Sequence, residues 1–389
     1  MLNPSVATGP DRPAALVLDP RDPLGRSFTD AVSRSLTGFL DRQAGPLAAM
    51  GPELAPVHEQ AVDLLHGGKR LRPAFAVWSR VAAAGLPPDD VVVAAAASLE
   101  LLHVSALVHD DVMDSSDLRR GLPAAHRRFE SLHRDSGWVG DAAAFGRAGA
   151  ILLGDLLLMW SVEMLQRAGL PADALGRALP LLEAMRTEVT CGQYLDVVAQ
   201  AQPLPPVEPD ADSDVTAGVG RALDEASRVV EYKSARYTVQ RPCQLGAALG
   251  GGDARLEQAL AAFGSPLGRA FQFRDDVLGV FGDTGVTGKP TGDDLREGKR
   301  TVLVAQAWGR TDAAGRRLLA ARLGDPGLDA QGVEEAQQVI SDSGAREAVE
   351  AMIEELHEQA LTALAAADLT PAGRTALTGL AEAATRRTS

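Results

Sequence analysis

Residues 91–120 read VVVAAAASLELLHVSALVHDDVMDSSDLRR. From Val91 to His109 the run is mostly apolar and free of Pro and Gly, which predicts a buried helix. Three carboxylates, Asp110, Asp111 and Asp114, then close it. Acidic groups at a helix C-terminus oppose the helix dipole, and near a core each must be solvated, paired or bound to a cation. On a helix Asp110 and Asp114 stand one turn apart on a single face. Arg119 and Arg120 follow at once. A second acidic pair, Asp275-Asp276, ends another apolar-aromatic run, Ala270-Phe271-Gln272-Phe273-Arg274, with Gln272 about one turn before it. Position 279 is Gly where a third carboxylate would complete the turn, and Asp283 beside Gly282 reads equally as a turn residue. Two acidic clusters on two helices, with cations nearby, predict a cage in which hard oxygen ligands hold Mg²⁺ on a polyphosphate.

The rest of the chain fits that reading. It has 389 residues, of which 46% are hydrophobic and only 4% aromatic. A core of Ala, Leu and Val favours close-packed helices over sheets. The net charge of −14 argues against nucleic acid as a partner, and an anionic substrate would need a local basic pocket. Cys191 and Cys243 have no metal or disulfide spacing, so a reducing cytoplasm is expected. Histidines 66, 103, 109 and 126 lack zinc-site spacing. No uncharged apolar run reaches membrane-spanning length: Val91–His109 is broken by Glu100 and His103, and Ala148–Met164 by Asp155 and Glu163. No stable membrane insertion is therefore expected.

Residues 1–27, rich in Pro and Asp and lacking a signal-peptide h-region, read as a flexible tail. A single all-helical domain is predicted over 28–389. Its helices fall over about 28–50, 53–66, 73–84, 88–114, 141–168, 172–199, 218–239, 241–249, 253–281, 299–309, 312–322, 331–341, 344–366 and 371–386. Residues 201–217 and 282–298 read as loops. Gly67-Gly68-Lys69-Arg70-Leu71-Arg72-Pro73 places three cations at a helix start, a good diphosphate seat that is equally consistent with a solvated basic turn. The stretch from Asp283 to Gly288-Lys289-Pro290 fails as a P-loop, because Asp283 takes the first Gly position and Pro290 the Ser/Thr position.

Taken in order, GGKRLRP, LLHVSALVHDDVMDSSDLRRGLPAAH, FQFRDDVLGVFGD and GKPTGDDLREGKRT resemble the trans-isoprenyl diphosphate synthases, or polyprenyl synthetases. The resemblance covers about residues 30–310. It implies an all-α, isoprenoid synthase-type helical bundle around a deep central cavity, assembled as a homodimer. It also implies condensation of isopentenyl diphosphate with an allylic diphosphate. By the same resemblance Asp110, Asp111, Asp114, Asp275 and Asp276 are metal ligands for Mg²⁺, with three ions expected once substrate is bound. Arg119, Lys233 and Lys289 resemble the cations that hold the allylic diphosphate. Lys69, Arg72, His103 and Arg120 resemble the isopentenyl diphosphate site, with Arg70 supporting it. Ser234 and Gln272 match further positions of the motifs, while Gly279 departs from the family's most familiar second motif.

No protein base stands out, which agrees with the family view that the departed diphosphate takes the proton. The resemblance places the growing chain alongside the helix that carries the first motif. Ser105 and Ala106, small residues one turn before Asp110, would then form the floor, with Leu102 and Leu101 one turn further down. Geranylgeranyl diphosphate is the expected product, with farnesyl and longer products open. A class I terpene cyclase would lack GGKRLRP and carry a late Asn/Ser/Glu motif. A non-catalytic synthase subunit would have lost acidic ligands.

Overall fold

The computed structural model describes residues 16–85, 87–209, 214–282 and 291–386. The first half comprises α1 (Arg26–Met50), a 3-10 turn (Pro52–Leu54), α2 (Ala55–Leu65), α3 (Leu71–Ala84), α4 (Asp90–Met113), α5 (Ala125–Asp135), α6 (Ala142–Gln166) and α7 (Ala172–Ala201). Between α4 and α5 lies a two-residue antiparallel pairing of β1 (Leu118–Arg119) with β2 (Leu122–Pro123). The second half runs α8 (Val215–Val229), a π-helix (Val230–Gln240), α9 (Arg241–Leu249) and α10 (Ala254–Phe281). It continues through α11 (Asp293–Glu297), α12 (Val302–Arg310), α13 (Ala313–Arg322), α14 (Ala330–Asp342), α15 (Ala345–Ala366) and α16 (Pro371–Thr385).

The starts of the two acidic helices follow from capping. Asp89 accepts the Val92 N–H at 2.9 Å to open α4, and Asp253 accepts the Leu256 N–H at 2.8 Å to open α10. A short polar acceptor there satisfies one of the orphan amides of the first turn. The apolar residues of α4 run all around it, and accordingly it is buried between α6, α3 and α1. Its buried stem contributes Val93, Ala97, Leu101 and Val108 to one large core. A second core gathers α12, α14 and α15 around Trp308, Ile340 and Ile353. Helix α10 serves both, giving Phe263, Leu267 and Phe271 to the first and Phe273, Val277 and Val280 to the second.

The all-helical expectation holds, with differences that have physical reasons. Helix α5 was not expected, because its buried stripe is Ala125, His126, Phe129, Glu130 and His133, so polar side chains carry the periodicity. Helix α11 lies inside the expected loop 282–298 and is a single short turn, opened by Gly292 in a left-handed conformation. The expected helix 218–239 is α8 continued by the π-helix, and the chain stays helical into α9. Packing begins before residue 28: Leu18 is buried, and the Trp78 indole donates to the Pro23 carbonyl at 2.9 Å. In the expected loop 201–217, whose ends belong to α7 and α8, the Pro206 carbonyl accepts from the Trp308 indole and the Val207 carbonyl from Arg316, so residues 206 and 207 are pinned to the second core. By length and composition α4 and α6 are each apolar enough to cross a membrane when a charged residue or two is allowed, as Glu100 in α4; α4 is largely buried inside the bundle.

Candidate active site

The end of α4 divides its three carboxylates between two tasks. Asp110 faces the interior and takes Lys233 Nζ at 3.0 Å, Gln193 Nε2 at 3.1 Å and Arg119 Nη2 at 3.4 Å. Burial alone would raise its pKa, but Lys233, Lys299 and Arg119 hold it well below the usual carboxylate range. Asp114 lies one turn on, with Lys299 Nζ 3.3 Å from its Oδ2. Burial and the Asp110 charge push the Asp114 pKa up to about 6. Asp111, expected as a metal ligand, is buried and turned to Arg119, whose Nε (2.8 Å) and Nη2 both donate to Oδ1. The reason is helix phase: one residue of rotation, about 100°, takes it off the face that Asp110 and Asp114 share.

The opposite wall comes from α10 and α11. Asp275, Asp276, Asp293 and Asp294 line one cavity with Asp110. Gln272 Nε2 donates to Asp276 Oδ1 at 2.8 Å, whereas the buried Asp276 Oδ2 has no hydrogen-bond donor. Burial first, and then Asp294, push the Asp276 pKa up to about 8. A Cβ at position 279 would collide with the Asp294 carboxylate, so Asp294 fills the place where the third carboxylate of the motif would stand. Lys299 joins the walls: it approaches Asp114, Asp294 (3.9 Å) and Glu297 (2.7 Å). Despite burial, Asp294 and Asp110 hold the Lys299 pKa well above its ordinary value.

These oxygens suit Mg²⁺. They are hard donors with no His or Cys among them, and the lone Asp276 oxygen is buried, which is costly without a cation. Asp110, Asp114, Asp275 and Asp276 are the side chains that could hold it. Among the described residues no three carboxylate, imidazole or thiol groups come together, so a bound ion would draw further oxygens from substrate or water.

A second group of cations lies beside the first motif. Lys69, Arg70, Arg72 and Arg120 line the same cavity with Glu100 and His103. Arg70 is locked by Glu100 at 2.8 Å and by the Leu65 carbonyl at 2.5 Å. Arg72 donates to Thr238 at 2.9 Å and stacks 4.1 Å above the Tyr237 ring. His103 Nδ1 lies 2.7 Å from the Tyr237 hydroxyl; burial, then Arg72 and Arg120, push its pKa well down, which leaves it neutral at pH 7. Arg70 and Arg120 both adopt left-handed backbone (φ 54° each), a strained choice for non-glycine residues that is common at ligand clamps. Burial and its arginine neighbours lower the pKa of Arg120 against the pull of Glu100. Five basic or imidazole groups around one acid make this a seat for an anion.

The two acidic walls and the cation group thus enclose one cavity of about 800 Å³. The polyprenyl synthetase family model matches residues 55–340. The chain belongs to the polyprenyl synthetase family. Among relatives of this family, the geranylfarnesyl diphosphate synthase of Aeropyrum pernix is 32% identical over 282 residues, 72% of this chain and 77% of its own. The short chain isoprenyl diphosphate synthase of Methanothermobacter thermautotrophicus is 33% identical, over 72% of this chain and 75% of its own. The fold matches a crystal structure of geranylgeranyl pyrophosphate synthase from Corynebacterium glutamicum with a TM-score of 0.86 and 38% identity, covering 95% of this chain and all of that one.

Within this polyprenyl synthetase, most expected site residues converge. Arg119, Lys233, Ser234 and Gln272 also line the cavity. Lys233 and Ser234 sit on the π-helix, whose wider turn brings 233, 234 and 237 to the cavity together. Lys289 and Asp283 lie outside the described residues. The expected floor divides. Ala106 lines the cavity with Leu107. Ser105 instead donates to the Gly154 carbonyl on α6 at 2.7 Å, and Leu101 and Leu102 are packed in the first core. Cavity-facing positions on α4 are 100, 103, 106, 107 and 110, and residue 105 points to the opposite side.

Sequence reasoning missed several partners. Asp196 binds Lys233 at 2.6 Å, and Gln193 and Asp196 are one turn apart on α7. That spacing was available as a signal, but two polar residues on a long helix are unremarkable alone. Lys299 and Asp294 lay inside a recognised motif without a role, and Tyr237 carried no local signal.

Proposed function

We propose that this prenyltransferase joins isopentenyl diphosphate to an allylic diphosphate with Mg²⁺ as cofactor, and that its product is geranylgeranyl diphosphate. The observation that carries the reading is the position of Lys299 between Asp114 and Asp294, which sets the two acidic tips face to face across one cavity. A crystal structure of the 38% identical Corynebacterium protein was determined with isoprenyl diphosphate and magnesium, which supports both the metal and the substrate class.

Lys233, Arg119 and Gln193, already gathered on Asp110, are placed to take the allylic diphosphate oxygens. Bound Mg²⁺ supplies neutralising charge to the diphosphate as the C–O bond lengthens. Lys69, Arg72 and Arg120 hold the isopentenyl diphosphate beside it. Ala106, Leu107, Val189 and Phe271 wall the cavity with apolar surface and exclude water from the developing allylic cation. His103, neutral and joined to Tyr237, adds a donor without adding charge. The small side chain of Ala106 leaves the α4 wall open to a long chain, which favours C20 over C15.

We further propose a cytoplasmic homodimer. Ile151, Leu152 and Met159 of α6 are exposed apolar side chains, with Leu152 67% and Met159 61% accessible, and a second copy would cover them.

Incubating the chain with Mg²⁺, labelled isopentenyl diphosphate and, separately, dimethylallyl, geranyl and farnesyl diphosphate tests the reading. A linear C20 diphosphate is expected. A C15 or C25 product overturns the length, a cyclic hydrocarbon points to a cyclase, and no turnover with any primer points to a non-catalytic subunit.

A further inference from the structure

Arg72 and His103 belong to the anion seat, yet neither is anchored by an acid. Among the described residues Arg72 has no ion pair. Its Nη2 donates to Thr238 Oγ1 at 2.9 Å, its guanidinium lies 4.1 Å from the centre of the Tyr237 ring, and its Nε is buried without an acceptor. His103 is tied by Nδ1, 2.7 Å from the Tyr237 hydroxyl. One aromatic side chain, buried on the π-helix, therefore touches both.

The protons of this contact can be assigned. Burial pushes the Tyr237 pKa up, so the phenol keeps its proton, and His103 Nδ1 is its one acceptor among the described residues. Were Nδ1 to carry the ring proton, that hydroxyl would be left without a protein acceptor, at a cost. The hydroxyl therefore donates to Nδ1, and the proton of the neutral ring sits on Nε2. Nε2 has no partner among the described residues and is not sealed in, and His103 lines the cavity with Arg72 and Arg120. An N–H there attracts an arriving anion, whereas a lone pair would repel it.

We propose that Tyr237 is a positioning residue of the isopentenyl diphosphate seat: its hydroxyl sets the His103 tautomer that offers a donor to the diphosphate, and its ring holds Arg72 in place. This deepens the prenyltransferase reading and rests on it for the identity of the ligand. It also gives the π-helix two duties. Lys233 serves Asp110, while Tyr237 and Thr238, about one turn later, serve the second substrate.

The test separates hydroxyl from ring. Tyr237→Phe keeps the platform under Arg72 and removes the donor; Tyr237→Leu removes both. Long-range proton–nitrogen spectra of histidine-labelled protein at pH 7 read the tautomer, the His103 signals being identified by their loss in His103→Gln. In the wild type the proton is expected on Nε2, with the two tautomers mixed in Tyr237→Phe. Calorimetric affinity for isopentenyl diphosphate is expected to fall about threefold to tenfold in Tyr237→Phe, the worth of one hydrogen bond, and further in Tyr237→Leu. In steady-state assays the KM for isopentenyl diphosphate rises in the same order and that for the allylic primer stays put. A wild-type ring protonated on Nδ1, or unchanged affinity in both variants, overturns the assignment. So do equal rises in both KM values together with a lower ligand-free melting temperature in Tyr237→Phe, which mark a merely structural tyrosine. A wild type that turns nothing over, yet binds isopentenyl diphosphate more tightly than Tyr237→Phe does, fails as an enzyme and still supports the seat.

Discussion

At the scale of single residues the site is a contest between burial and charge. Asp110 wins ionisation through its three cations, and replacing it with Ala is expected to lower turnover by at least about a hundredfold while circular dichroism stays native. Retained turnover would remove the metal-site reading. Asp276 loses the contest. Its pKa stands at about 8 against an ordinary 3.8, so between those values the folded chain holds a proton that the unfolded chain has lost. Metal-free stability therefore falls as pH rises from about 4 to about 8. At pH 7 Mg–diphosphate must displace that proton, so its binding is expected to release protons, seen as heats that vary with buffer ionisation enthalpy. Proton-neutral binding would contradict this. The acidic residues were legible in the sequence because apolar runs made them conspicuous. The orientation of Ser105 was legible in principle too, since five residues of helix set it about 140° away from Asp110, on the side that meets α6. Ser105→Phe is now expected to push against α6 and cost about 1–3 kcal/mol in chemical unfolding. Ala106→Phe is the variant expected to shorten the product, as read by chain-length chromatography.

At the scale of elements, the π-helix decides whether Lys233 reaches Asp110. It is wedged against α7 at Gly192, where a Cβ would collide with the Lys233 backbone nitrogen. Gly192→Ala is thus expected to displace the lysine and reduce kcat/KM by about tenfold or more, although no side chain of the site is altered. Wild-type kinetics in that variant would show that the wedge is slack. The sequence revealed helices where Ala and Leu recur with helical period, as in α4, α6 and α10. It hid α5, whose buried face includes His126, Glu130 and His133, and Glu130 is matched by Arg127 at 2.7 Å and by Arg134. It also hid the change of helical pitch after Val229, since nothing in Val230–Gln240 breaks a regular pattern. Pitch is set by packing against α7 and α10, which a linear reading does not contain.

At the scale of the molecule, the exposed apolar face of α6 calls for a partner. Leu152→Arg with Met159→Arg is expected to convert a dimer to a monomer in size-exclusion chromatography with light scattering. A wild-type monomer would end that proposal. The fold class and the course of the bundle were readable from composition and period, but the seam between its two cores was not, because α10 contributes to both. That seam has a mechanical meaning. One bank presents Asp110 and Asp114, the other Asp275, Asp276 and Asp294, and in the ligand-free chain Lys299 reaches across between Asp114 and Asp294. If bound as proposed, a diphosphate loaded with magnesium would tie the two banks together as a rivet does, and substrate would be a temporary structural part of its own reaction vessel. Occupancy should then register far from the chemistry, as slower amide exchange along the helices on either side of the joint.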